Sequence, residues 1–247
     1  LALPLIALQY HEVKINVEFS DLSKCAECTG ATLNNSTLSL KNPSLFVDYI
    51  YLDTDERRRF AQVSHEYLIE QLQYEEHALS ASLELNFNHP VKELVWGGKP
   101  NNTAQTTSGG SAEYIAGVSE STTFFRIHGD SGLDNLTPSE STFNITLKLN
   151  GHERFAPRGI TYFSRQQICD YHTGPGCVSE TDALCVYSFA LKPEEHQPSG
   201  TCNFSRIDSA ILQFNTVPKT TEHDSATVFM DAIRVYAVNY NVLRIMS

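Results

Sequence analysis

The strongest constraint on the fold lies in residues 186–215, where one strand pattern stops, a turn-rich link follows and a second strand pattern begins. Val186, Tyr187, Phe189, Ala190 and Leu191 make an apolar, aromatic and β-branched run, as a buried strand requires. Lys192-Pro193 is expected to end that strand, because proline has no N–H for a β-ladder. Gln197-Pro198-Ser199-Gly200 has turn composition: proline sets φ and glycine admits φ > 0. In residues 208–215, Ala210, Leu212 and Phe214 fall on one face of a second strand. So specific a link between two strands predicts a connection that holds two sheets in register.

Much of the remaining chain reads as strand. Val13, Ile15, Val17 and Phe19 alternate with polar residues over 12–19, predicting one buried and one wet face. Residues 45–52 form a second candidate strand, rich in Phe, Tyr and Ile. Residues 53–60 predict a short helix with Asp53 or Thr54 as N-cap and acids in the first turn. Over 63–74 both the helical and the strand period fit. Residues 83–87 alternate cleanly; His89-Pro90 interrupts, and 91–96 resumes, as in a strand that bends or bulges. Residues 97–122 read as a long loop of Gly, Ser, Thr, Asn and Ala. Short strands are expected at 124–128 and 144–149, with a turn at Asn150-Gly151. A short helix or irregular crossing is expected within 153–167, a loop over 168–182, and a last strand region over 228–245. Roughly nine or ten strand-like segments with hardly any helix and no internal repeat make a sandwich or barrel.

Composition narrows the function classes. A chain of 247 residues that is 41% apolar and 19% charged can bury a sizeable core and is not of disordered composition. A net charge of −11 argues against direct nucleic-acid binding, which needs clustered Lys and Arg. The apolar run at residues 1–8 is too short for a membrane span and lacks a basic flank, so it reads as a segment continuing from an upstream domain.

Residues with chemical potential are sparse. His11, His65, His89, His128 and His152 show no metal-ligand spacing, and His65-Glu66 lacks the second His of a zinc-protease motif. Glu75-Glu76, Glu194-Glu195 and Glu66 with Glu70 could do acid–base work, although solvated acids are the commoner explanation. No catalytic residue, metal site or cofactor is assigned. Cys25 and Cys28 form a C-x-x-C, and Cys169 with Cys177 is a second loop-borne pair. The two pairs are too far apart for a zinc ribbon, which places a zinc site behind a local disulfide at either pair or free thiols. Glycosylation sequons occur at Asn34, Asn35, Asn101, Asn135, Asn144 and Asn203.

Several blocks resemble one family. Phe189-Ala190-Leu191-Lys192-Pro193, the run from Gln197 through Gly200, Cys202, Asn203 and Arg206 to Asp208, and the terminal Asn239-Tyr240-Asn241-Val242-Leu243-Arg244-Ile245-Met246-Ser247 carry the likeness. So do Leu3-Pro4-Leu5-Ile6-Ala7-Leu8-Gln9-Tyr10-His11-Glu12-Val13, Val47-Asp48-Tyr49-Ile50, His65-Glu66-Tyr67-Leu68-Ile69-Glu70-Gln71-Leu72 and Phe87-Asn88-His89-Pro90. Together they resemble the major capsid proteins of large icosahedral DNA viruses of the algal type. The resemblance implies an all-β chain: an eight-stranded jelly-roll β-sandwich with long loops and one or two short helices, the second half of a double jelly roll. It implies residues 1–10 as a linker from an upstream jelly roll and 11–247 as the C-terminal domain, the chain being a fragment at both ends. It also tips 63–74 towards strand.

The function so implied is structural. Three chains would form a pseudo-hexagonal capsomer that meets neighbouring capsomers and minor capsid proteins in the virion shell, assembled in host cytoplasm. Pro193, Pro198, Gly200, Cys202, Asn203 and Arg206 would act as core and link residues, with the Asn203 side chain bonding to the turn backbone. Surface glycans in relatives make Asn34, Asn35 and Asn101 the favoured exposed-loop acceptors. The alternative is a carbohydrate-binding or host-adhesion jelly roll, for which Asp130 with Asp134 comes nearest to a calcium loop.

Overall fold

The computed structural model describes residues 2–19, 41–100, 144–174, 184–215 and 230–246. The chain divides into two compact units, Ile69–Asn241 and Leu1–Leu68 with Val242–Ser247.

The larger unit is a sandwich of antiparallel strands. In chain order these are β1 (His65–Ala78, whose first residues belong to the smaller unit), β2 (Ser82–Glu84), β3 (Pro90–Pro100), β4 (Asn144–Leu149), β5 (His152–Glu153), β6 (Arg158–Gly159), β7 (Cys185–Ser188), β8 (Cys202–Asn203), β9 (Ala210–Phe214) and β10 (Met230–Ile245, whose last residues belong to the smaller unit). One sheet runs β1-β10-β3-β7 and the other β2-β9-β4-β5. Short β8 joins β3 at the margin of the first sheet and β6 joins β4 in the second. The chain passes repeatedly from one sheet to the other, so neighbours in sequence are seldom neighbours in a sheet. Eight strands on two four-stranded paths with such crossings are a jelly roll, as expected.

Alternation explains which face meets the core. Leu83, Leu85 and Phe87 are buried, and so are Ile145, Leu147, Ala210, Leu212 and Phe214. β9 pairs with β4 from Ala210↔Leu149 to Phe214↔Ile145, so their inward residues lie side by side. The β4–β5 turn is Asn150-Gly151, with φ 51° and 79°. Both values are positive, as a two-residue hairpin of type I′ demands.

In the first sheet, β3 breaks its alternation near its start. Val91, Leu94 and Trp96 are all core residues, and 91 and 94 differ in parity. Val238 pairs with Glu93 and Asn239 with Val91, so Lys92 is an extra residue, a bulge. The bulge follows His89, whose φ is 67°. The chain therefore crosses from one sheet to the other before Pro90 rather than bending within one strand, while the expected bulge is present and turns Lys92 and Glu93 away from the core.

Aromatic rings tie the core together. Trp96, Phe163, Phe155, Tyr187, Phe189, Phe204 and Phe87 form a chain with successive centroids 4.8–6.2 Å apart. Phe163 lies on a π-helical turn, Tyr162–Gln166, that leads into α2 (Gln167–Tyr171), so helix extends into the expected 168–182 loop. Gln73 bonds Asn88 through both main-chain groups and Asn239 through its side chain, at 2.7–3.1 Å.

In the smaller unit, α1 (Thr54–Gln62) starts as the sequence predicts: Asp53 is the N-cap and its Oδ1 accepts from the Glu56 N–H at 2.9 Å. Residues 12–19 and 45–52 depart from expectation, because neither segment is a strand. Val13, Ile15, Val17, Phe19, Leu45, Phe46, Val47, Tyr49, Ile50 and Tyr51 are exposed. A strand exists only when a neighbour takes its backbone groups, and no described residue does so here. Two boundaries also shift. β3 runs on to Pro100, into the expected loop, because residues 97–100 pair with β10. β7 ends at Ser188 rather than at Lys192-Pro193, for the reason given next.

Candidate functional site

The link between β7 and β9 connects the two sheets, since β7 belongs to one and β9 to the other. It begins where the Phe189 and Ala190 N–H groups both donate to the Lys92 carbonyl, at 2.9 and 3.1 Å. Two donors on one acceptor end the regular ladder, which stops β7 early. The Ser188 hydroxyl donates to the Ala190 carbonyl at 2.6 Å, and the Ser188 N–H donates to Gln167 Oε1 at 3.1 Å.

Pro193 is buried and Pro198 exposed. The Ser199 hydroxyl accepts from the Lys192 N–H at 2.9 Å and bonds its carbonyl at 3.3 Å, closing the loop between them. Gly200 has φ 148°, and a Cβ there would lie 2.7 Å from the Phe189 carbonyl oxygen. Glycine is thus required twice, by conformation and by backbone approach. Cys202 and Asn203 pair with Val91 and Pro90 as β8. Asn203 Oδ1 accepts from the Ser205 N–H at 3.1 Å, and Ser205 Oγ accepts from the His89 N–H at 2.8 Å. Asn203, a sequon residue, thus bonds the turn backbone. Phe204 is buried against Phe87 and Phe189, whereas Arg206 is exposed. The link ends where Asn150 Oδ1 accepts from the Asp208 and Ser209 N–H groups at 2.8 and 3.1 Å.

Cys202 is half-buried, and burial pushes its thiol pKa up, which suits a packing residue rather than a nucleophile. Cys169 is exposed on α2 and Cys185 is buried. The candidate partner of Cys169, Cys177, as well as the Cys25/Cys28 pair, the acceptors Asn34, Asn35 and Asn101, and Asp130 with Asp134, lie outside the described residues. Among the described residues, no three His, Cys, Asp or Glu side chains are arranged to hold a metal ion.

Gln167, buried Lys92 and the pairing of half-buried Gln73 with buried Asn239 were not singled out from sequence. Each depends on contacts with residues far along the chain, so no local pattern marks it.

Residues 56–247 match the family described as large eukaryotic DNA virus major capsid protein, and residues 1–53 match the major capsid protein N-terminus. The chain belongs to the large eukaryotic DNA virus major capsid proteins. It is 46% identical over 268 residues to the major capsid protein of Pyramimonas orientalis virus, covering 100% of this chain and 56% of that protein. It is 40% identical over 280 residues to the major capsid protein of Paramecium bursaria Chlorella virus 1, covering 100% of this chain and 61% of that protein. Among solved structures, a quasi-atomic model of the PBCV-1 virus capsid matches with TM-score 0.52 and 34% identity, over 81% of this chain and 54% of that one. The chain thus spans well under two thirds of the length of these relatives.

Proposed function

We propose that this chain is the C-terminal jelly roll, with the end of the preceding domain, of a protein that builds an icosahedral virus shell. The observation that carries this is the family match over residues 56–247, laid on a β1-β10-β3-β7 and β2-β9-β4-β5 sandwich. The role is mechanical: two sheets packed on an aromatic core and pinned by the link give a rigid block. Three copies form a pseudo-hexagonal capsomer, and its flanks meet neighbouring capsomers and minor capsid proteins. The protein acts in the virion after assembly in host cytoplasm, without catalysis, cofactor or direct contact with the genome. Surface glycans at Asn34, Asn35 or Asn101 fit this role.

The two family matches meet between residues 53 and 56, at the start of α1. We place the domain boundary there rather than after residue 10. The exposed apolar residues of 12–19 and 45–51 then belong to strands whose partners lie in the preceding domain. Light scattering on the full-length protein tests the shell reading. A trimer that persists on dilution is expected, and a stable monomer absent from purified particles overturns it.

A further inference from the structure

The face of the first sheet turned away from the core carries a connected set of ionisable side chains that the shell role leaves unexplained. The bulge at Lys92 puts Lys92 and Glu93 side by side there. Lys92 is almost fully buried; its Nζ lies 2.8 Å from Glu70 Oε1 on β1 and 5.5 Å from the Tyr240 ring on β10. Glu93 faces His172, the residue that ends α2, with His172 Nε2 3.2 Å from Glu93 Oε2. His172 Nδ1 is 3.4 Å from Glu194 Oε1 on the inter-sheet link. Glu194 accepts from the Thr173 N–H at 2.9 Å and the Thr173 hydroxyl at 2.5 Å.

Glu93 Oε2 and His172 Nε2 are both buried, and neither has a hydrogen-bond partner. His172 thus lies between two carboxylates, Glu93 at 3.2 Å and Glu194 at 3.4 Å. A neutral imidazole has one N–H and can serve only one of them, whereas the imidazolium has an N–H for each. We propose that Glu93 and His172 form a proton-operated clamp, in which one proton taken up by the pair ties β3 to the end of α2 and, through Glu194, to the inter-sheet link. On His172 the proton makes an imidazolium that donates to both carboxylates; on Glu93 it makes a carboxyl that donates to Nε2. Either way, two buried orphan atoms are satisfied at once.

The surroundings favour proton uptake. With uncharged imidazoles, Lys92 balances Glu70 and Glu93, and Glu194 adds a further negative charge near Glu93. His196, with Nδ1 3.5 Å from Glu70 Oε1, adds a second site for positive charge. Lys192 and Glu195 pair with each other on the exposed side of the link. Burial raises the Glu93 carboxyl pKa; His172 and Lys92 oppose this, while Glu70 and Glu194 add to it. The Thr173 bonds hold Glu194 below its ordinary value. A raised carboxyl pKa destabilises the fold at neutral pH, and that cost disappears as pH falls. Glu194 stays charged through the same window, and its contribution is lost only below the ordinary carboxylate range. The clamp therefore closes as pH falls, the direction in which the raised Glu93 carboxyl takes up its proton. His77 faces Glu75 at 3.2 Å in a similar way, but both lie on β1, so a proton between them joins no second element.

Hydrogen-exchange mass spectrometry on the full-length protein tests this at about pH 8 and about pH 5.8, with rates corrected for intrinsic pH dependence. In the wild type, peptides covering 167–174 and 189–196 should exchange about tenfold more slowly at the lower pH, the change expected for gaining a charged hydrogen bond. In Glu93→Gln the side-chain amide donates to Nε2 without any added proton, so these peptides should be protected equally at both pH values. In His172→Gln the pH dependence should also vanish. The clamp is overturned if the wild type shows no difference, if the dependence survives in either variant, or if β2 and β9 peptides change as much as the link.

Discussion

At the scale of single residues, this fold depends on positions where backbone approaches backbone. Gly200 is the clearest, since any Cβ there meets the Phe189 carbonyl oxygen at 2.7 Å in a conformation that L side chains rarely adopt. Gly200→Ala should cost roughly 1–3 kcal/mol from backbone strain alone, with more from the clash. Urea denaturation measures it, and an unchanged midpoint would contradict the geometry. The thiols give a second readout. Cys169 should alkylate readily in the native protein, while Cys185 and Cys202 should react only after unfolding. Burial already raises the Cys202 pKa and so removes thiolate. Peptide mapping distinguishes the three; native labelling of Cys185 would show that the core opens at β7.

At the scale of elements, the π-helical turn and α2 carry more than their length suggests. Phe163 is fully buried and touches Trp96, Phe155 and Tyr162, so the turn is held onto the sheet by rings. Gln167 then takes the Ser188 N–H, where β7 gives way to the link. Phe163→Ala should cost about 3–5 kcal/mol, as expected for a large aromatic removed from a packed site. The loss should appear as a lower thermal midpoint together with faster exchange in peptides covering 184–190. Exchange unchanged there would show that the link stands without the ring chain. By contrast, α1 was readable locally: Asp53 and the acids after it form a start signal in four consecutive residues.

At the scale of the whole molecule, the two units differ in how completely they bury their own apolar surface. The larger one has a continuous core, whereas residues 12–19 and 45–51 of the smaller one leave Phe, Tyr, Val and Ile exposed. A fragment of residues 54–247 should therefore resist aggregation better than one of 11–247, because it omits these edge-seeking segments. Comparative light scattering at equal concentration checks this; equal behaviour would argue against a domain boundary at α1.

The sequence by itself determined the strands β4 and β9, a helix start at Asp53 or Thr54, the Asn150-Gly151 hairpin and the stop-link-start pattern between β7 and β9. Each depends on residues within a few positions of one another. Only the tertiary structure decided the Lys92 bulge, the early end of β7, the ring chain and the meeting of Glu93 with His172 and Glu194. The physical reason is that pairing partners and burial are set by residues far apart along the chain. The apolar alternation of 12–19 shows the same limit: a pattern states what a segment can pair with, and the neighbours present decide whether it does.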